Sequence, residues 1–282
     1  MPPGIFDIIY LMQVFTTGII LILIVLLSLR WTWWRFPKKG LPVLVYHKIG
    51  YYPKNSALKN LWITPEKFEK QIEYLNKHGY TTVHFSDILA DFKGERKLPE
   101  NPVLITFDDG YENNYTYAYK ILKKLNAKGN IFVVHNTIGK INTWHNTKTE
   151  PWINMASMAM IKEMQESKVM EFGAHTMNHP NLLSLSTDMV TWEIKESKKQ
   201  LEAALQTELC AFAYPYGAGA YDNKVRQAAL DAGFTFDFSF KQGKTAWPWE
   251  RKVSPIDRLF IKHDENNFDL YLHLTKGNSR LI

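Results

Sequence analysis

Two histidines four residues apart, His175 and His179, and two adjacent carboxylates, Asp108 and Asp109, are the groups in this sequence best suited to hydrolytic chemistry. On a helical turn the two imidazoles share a face and can bind one divalent cation, with a third ligand and a water completing an open catalytic site. In an extended segment neighbouring side chains point opposite ways, so one aspartate can face a metal while the other faces substrate. Each pattern also has a purely structural reading: a hydrogen-bonded turn for the histidines, and a strand ending in an Asp109-Gly110 turn for the carboxylates. A glycosidase would need two carboxylates on opposite sides of a glycosidic bond, about 5 to 9 Å apart, and an adjacent pair beside two histidines suits a metal site better.

The elements that must carry these groups alternate along the chain. β-rich runs at Pro42–Tyr46, Tyr80–His84, Val103–Phe107, Asn130–Val134, Met170–Ala174, Cys210–Tyr214, Phe234–Phe240 and Leu259–Lys262 are separated by longer helical patterns. One helix starts behind a Thr64 cap with Pro65 at its first position and stops at Gly79; others are expected over Asn114–Leu125, Asp188–Leu205 and Asp222–Ala232. Met155, Met158, Met160 and Met164 read as the packed face of a further helix. Such alternation predicts parallel strands with crossover helices, closed or nearly closed into a (β/α) barrel. Active sites of such barrels lie at the carboxyl ends of the strands, where His47, Asp108, Asp109, His135, His175, His179, Tyr216 and His263 all fall. His78, His84 and His273 read as structural histidines, whereas Trp144 and Tyr216 are candidate platforms for stacking a sugar ring.

Three segments in order, L-I-T-F-D-D-G (Leu104–Gly110), H-T-M-N-H-P (His175–Pro180) and F-A-Y-P-Y-G (Phe212–Gly217), resemble the first three motifs of the polysaccharide deacetylases, the NodB-homology carbohydrate esterases of family 4. The opening V-L-V-Y-H-K-I (Val43–Ile49) resembles the branch acting on poly-N-acetylglucosamine. The resemblance implies a distorted (β/α) barrel and a divalent metal, usually zinc, held by Asp109, His175 and His179. It also implies Asp108 as general base on the metal-activated water, and the Tyr216 backbone N–H as oxyanion donor. A late histidine, here His263 in L-F-I-K-H-D, is expected to protonate the leaving amine. One departure stands out: Ala213 occupies the place where many members carry an arginine that orients the base. The fourth motif has no clear counterpart beyond Asp237 and Trp247. A membrane-anchored glycan-binding module without catalysis is the alternative, although such a module needs no water-activating base.

The formal charge of +6 does not make the protein a nucleic-acid binder. Arg30, Arg35, Lys38 and Lys39 against Asp7 place half of that excess in residues 1–40, which leaves little for a phosphate-binding surface. From Ile8 to Leu29 run 22 uncharged residues, enough for a helix to cross a bilayer core of about 30 Å. That stretch is too long for a signal peptide, lacks Lys and Arg before it and has no small-x-small cleavage site after it, so a single uncleaved span is expected. Trp31, Trp33 and Trp34 then form an interfacial belt, residues 1–40 serve as anchor and linker, and residues 41–282 form the catalytic domain. The positive charges after the span favour a cytoplasmic domain and a lipid-linked sugar substrate. The family resemblance favours the extracytoplasmic side and an exported N-acetylated glycan, and that side is the expectation adopted. The single cysteine, Cys210, can form no internal disulfide and fits either side.

Overall fold

The computed structural model describes residues 4–250 and 253–281. A helix α1 (Ile5–Arg30) leads into a domain of parallel strands: β1 (Val43–Tyr46), a short pair β2 (Lys48–Ile49) and β3 (Trp62–Ile63), then β4 (Thr81–Val83), β5 (Pro102–Phe107), β6 (Gly129–Val133), β7 (Met170–Ala174), β8 (Ala211–Ala213), β9 (Phe236–Gln242) and β10 (Ile256–Phe260). Helices α2 (Pro65–Lys77), α3 (Phe85–Phe92), α4 (Lys120–Lys124), α5 (Met158–Glu166), α6 (Thr187–Leu205), α7 (Asn223–Asp231) and α8 (Asn267–Lys276) surround them. The expected Asn114–Leu125 helix begins as a π-helical stretch, Asn114–Tyr119, that runs into α4.

The sheet order is β1, β10, β9, β8, β7, β6, β5, and a further β1–β5 pairing closes these seven strands into a ring. β4 lies alongside the start of β5, while β6 takes the same edge further up. Asn130 on β6 fills that fork: its amide donates to Val83 O and Ile105 O, and its carbonyl oxygen accepts from Phe85 N. The barrel is thus closed by seven strands with an eighth applied outside the ring.

Local chemistry explains the helices that hold it. Thr64 caps α2 by accepting from Lys67 N, Pro65 sits at the first turn, and buried Phe68, Ile72 and Leu75 form its inner stripe. Burying side chains of this size contributes about 1.5 to 3 kcal/mol each. Inside the ring, residues two apart along a strand point the same way. Val43, Leu104, Ala211, Ala213, Phe236, Phe238 and Ile256 accordingly fill an apolar floor with Phe132. Gly173 on β7 leaves room for that packing, since a Cβ there would stand 2.7 Å from the Phe132 ring and 2.8 Å from Ala211 O. Continuing the same inward registers upward reaches His47 after β1, Thr106 on β5 and Asp108 just after it, Arg258 on β10 and His175 after β7. The apolar floor therefore gives way to a polar rim, and α1 stands apart with none of its residues buried.

Candidate active site

Asp108 continues the extended backbone of β5, its N–H donating to Tyr46 O, whereas Asp109 turns into the left-handed region at φ 76°. That reversal separates two neighbouring carboxylates into two environments. Asp109 Oδ1 lies 3.3 Å from His175 Nε2 and 3.1 Å from His179 Nε2, and the ligand atoms of the three residues lie within 4.8 Å of one another. All three residues are buried. The His175 Nδ1–H donates to Ala213 O at 2.7 Å, a bond that turns Nε2 inward as a lone-pair donor.

The histidines meet in an irregular loop and not on the helical turn their spacing suggests. Thr176 and His179 both have positive φ, 68° and 60°, so the chain curls back on itself. The curl is held by Thr176 Oγ1 accepting from His179 N and by His175 N and His135 N donating to Val133 O and Thr176 O. Buried Glu193 on α6 completes it by accepting from the backbone N–H groups of Met177 and Asn178 and from the Asn178 amide. Backbone strain of this kind costs about 1 to 3 kcal/mol per residue and persists only where surroundings enforce it.

Asp108 faces the other way, onto Arg258. The guanidinium binds both carboxylate oxygens, Nη1 to Oδ1 at 2.6 Å and Nη2 to Oδ2 at 2.7 Å, while Nε donates to Ser239 O. Phe132 and Phe240 flank the guanidinium at 5.5 and 5.9 Å. Arg258 thus supplies from β10 the positive charge that Ala213 cannot supply from β8. Expecting β10 to start at Leu259 leaves Arg258 outside the strand; within Ile256-Asp257-Arg258-Leu259-Phe260 it stands two residues after the apolar inward position Ile256, and that alternation is the signal that marks it, and not Asp257, as internal. His47 Nε2 lies 3.9 Å from Asp108 Oδ2, and its buried Nδ1 has no protein partner among the described residues.

Burial pushes the Asp108 carboxyl upward, but the Arg258 charge and its two hydrogen bonds outweigh that effect and hold it below the usual range. Asp109 is likewise raised by burial and driven well below the usual range by His179 and His175. His47 and His179 are lowered by burial more than nearby carboxylates raise them, which favours neutral imidazole. An ionised carboxylate and neutral imidazoles are the donor states a divalent cation needs.

Aromatic walls rise beside the cluster. Trp144, from the excursion between β6 and α5, stacks on His179 at 4.3 Å and 24°. Tyr216 meets the His179 ring edge-on at 4.6 Å. Tyr216 is held at φ 58° within a single 3-10 turn, Pro215–Gly217; Pro215 has no N–H and Gly217 N donates to Tyr214 O, so among the described residues the Tyr216 N–H is the turn's free donor. The following Gly217 is required by φ 68° and by Phe240, whose Cβ would lie 2.7 Å from an added Cβ. Behind the site, buried Lys48 pairs with buried Glu150 at 2.6 Å, between the rings of Trp62 and Tyr111. Glu150 also accepts from Ser56, Leu58 N and Trp62 Nε1, which ties the loop after β2 to the excursion that carries Trp144.

Other expected groups stand elsewhere. His263 follows β10 but bonds Asn60 through Nδ1 and sits beside Tyr52, with no polar contact to Asp108, Asp109, His175 or His179 among the described residues. His135 bonds Asn136. Asp237 is buried against Arg226 and Tyr214 OH, and Trp247 donates to Asp91 on α3, so neither reaches the rim groups.

Similarities to known proteins agree with this geometry. The polysaccharide deacetylase family model matches residues 95–236. The chain is 28% identical over 232 residues to the poly-β-1,6-N-acetyl-D-glucosamine N-deacetylase of Staphylococcus aureus, covering 77% of this chain and 73% of that protein. It is 29% identical over 203 residues to YxkH of Bacillus subtilis, covering 72% of this chain and 65%, just under two thirds, of that relative. The Streptococcus pyogenes deacetylase PplD, solved in complex with acetate, superposes with a TM-score of 0.71 at 26% identity, over 84% of this chain and 99% of PplD. With the family match spanning half of its length and the barrel superposing over most of the rest, the chain belongs to the polysaccharide deacetylase family.

Proposed function

We propose that this protein is a metal-dependent hydrolase that removes N-acetyl groups from an amino-sugar glycan, releasing acetate and leaving free amines. The observation that carries the reading is the opposed pair on one rim: Asp109 facing two imidazoles and Asp108 clamped by Arg258. Asp109, His175 and His179 would hold the cation, and the donor set of two imidazoles and one carboxylate suits zinc. When bound, such a cation supplies Lewis acidity toward a water and an acetamide carbonyl. Asp108 takes the proton from the attacking water, its orientation fixed by the two-pronged Arg258 contact. The Tyr216 N–H donates to the oxygen of the tetrahedral intermediate.

The leaving amine needs a proton, and two histidines compete for that role. His47 is favoured here, because it lies 3.9 Å from Asp108 with its Nδ1 free of partners among the described residues, whereas the ring of His263 is engaged by Asn60. Loss of the acid should impair an acetamide more than an activated ester, whose leaving group needs no proton. His47→Ala should show that difference; the same pattern in His263→Ala and not in His47→Ala would return the role to His263.

Trp144 and Tyr216, both against the His179 ring, support a sugar ring stacked beside the Asp109, His175 and His179 cluster, and the staphylococcal relative makes β-1,6-linked N-acetylglucosamine the first polymer to test. We place residues 1–40 as a single-pass anchor and linker, and residues 41–282 as a catalytic domain on the extracytoplasmic side. The deciding experiment follows acetate release by the full-length protein from a panel of N-acetylated glycans, before and after chelation and after return of zinc, cobalt or nickel. Full activity in a rigorously metal-free sample would sink the mechanism. Protease added to intact spheroplasts should remove the domain; complete protection would move it to the cytoplasm.

A further inference from the structure

The segment that joins the apolar helix to the barrel is bound along its length. Arg30, the last residue of α1, pairs with Asp269 at 3.5 Å, and Trp31 Nε1 donates to the same carboxylate at 3.1 Å. Trp31 also packs edge-on against Phe268, with ring centres 5.5 Å apart. Thr32 is buried, its N–H donating to Ser279 O and its hydroxyl to Asn278 O. Further along, Lys38 N donates to Thr275 O, and Leu41 N to Thr245 O, before β1 begins.

These contacts have a direction. Phe268 and Asp269 lie in the first turn of α8, which starts just after the carboxyl end of β10, and Thr275 lies in its last turn. The strap therefore descends from the rim end of the barrel to its base, and β1 climbs back up to His47. α1 has no buried residue, so the span leaves the domain at Arg30 and does not run along the barrel wall. A bilayer around α1 cannot overlap the domain, and the parts nearest to it are those that hold Arg30. Those parts belong to the rim, one helix layer, about 10 to 12 Å, outside the strands. Exposed Trp33, Trp34, Arg35 and Phe36 follow Trp31 on the strap, and exposed Phe268 and Tyr271 stack beside each other on α8 where Trp31 packs against Phe268, a composition suited to the headgroup zone of phospholipids.

We propose that this docked strap seats the catalytic rim against the surface of the bilayer that α1 spans, so that the enzyme acts on glycan lying at that surface. The substrate class rests on the deacetylase reading above; the seating does not.

Two labelled forms of the full-length protein in a Cys210→Ala background separate the two. Tyr52→Cys places a fluorophore on an exposed rim loop, and Glu208→Cys places one before β8 at the opposite end of the barrel. In vesicles whose lipids carry a headgroup quencher, the label at position 52 should lose fluorescence and the label at position 208 should not. A ten-residue Gly/Ser insertion between Arg30 and Trp31, adding a flexible reach of about 17 Å, should abolish that difference. Equal quenching at both positions, stronger quenching at 208, or a contrast that survives the insertion would each overturn the seating. None of these readouts needs acetate release, so an inactive enzyme would count against the catalytic reading alone.

Discussion

Asp108 and Asp109 are covalent neighbours, yet the two halves of the rim they serve are built on opposite principles. On the Asp108 side the charge is already compensated within the protein: the Arg258 guanidinium covers both oxygens and is itself fixed by Ser239 O and two phenyl rings. On the Asp109 side one carboxylate meets two imidazoles, one turned inward by Ala213 O and both carried by a strained loop. A group that moves protons needs a fixed charge balance, whereas a group that binds a cation needs lone pairs held close together against their own repulsion. One positive φ at Asp109 is what permits both to come from a single strand end.

The comparison breaks most completely at the metal half. His179→Ala should lose bound metal and reduce acetate release to background, as read by elemental analysis beside a coupled acetate assay; retained metal with full turnover would remove His179 from the donor set. Asp108→Asn should do the reverse, keeping metal near one per chain while turnover drops by roughly 10²- to 10⁴-fold, the range for a lost general base. Loss of metal in that variant would make Asp108 a ligand and erase the distinction between the halves.

Smaller effects sharpen it. Glu193→Ala removes the acceptor that pins Met177 and Asn178, and metal affinity should weaken by about 10- to 100-fold while the general-base limb of the pH profile stays in place. Competition with a chelator of known affinity measures the first quantity. Arg258→Lys keeps a charge but gives up the two-pronged contact, so the modest loss should fall on kcat. Because Arg258 is what draws the Asp108 carboxyl down against burial, weakening it must raise that group. A base works only when deprotonated, so the acidic limb should move to higher pH; an unmoved or lowered limb would show that Arg258 does not tune Asp108.

Much of the barrel is legible because capping and burial leave strong local marks. α2 announces itself through Thr64, Pro65 and Gly79, and α6 through the Val190, Ile194, Leu201 and Leu205 stripe. The rim groups emerge because polar residues interrupt apolar strands at their carboxyl ends. What stays hidden depends on distant parts of the chain. α3 keeps its apolar residues on one face but is only eight residues long behind His84, too short to stand out, and α8 carries only a weak periodic pattern. The four-residue spacing of His175 and His179 suggests a helical turn, but the loop conformation is imposed by Glu193 and by the ends of β6 and β7. Arg258 is invisible as a partner of Asp108 because no local rule links positions that far apart, and the replacement for an expected arginine on β8 comes instead from β10. His263 illustrates the converse, since its place after β10 is legible but the direction of its ring, toward Asn60, is set by a different loop.

The partner of Asp108 is also synthesised long after it. β10 closes the ring between β9 and β1, and Arg258 follows Asp108 by 150 residues, a contact of high sequence separation of the kind that slows folding. A nascent chain that has released everything up to β9 from the ribosome holds both aspartates and both histidines but has neither a closed barrel nor a counter-charge for the base. Barrel closure by β10 and arming of the proton acceptor are therefore one event, so a chain truncated before β10 would retain the three signature motifs and still lack the proton acceptor's counter-charge.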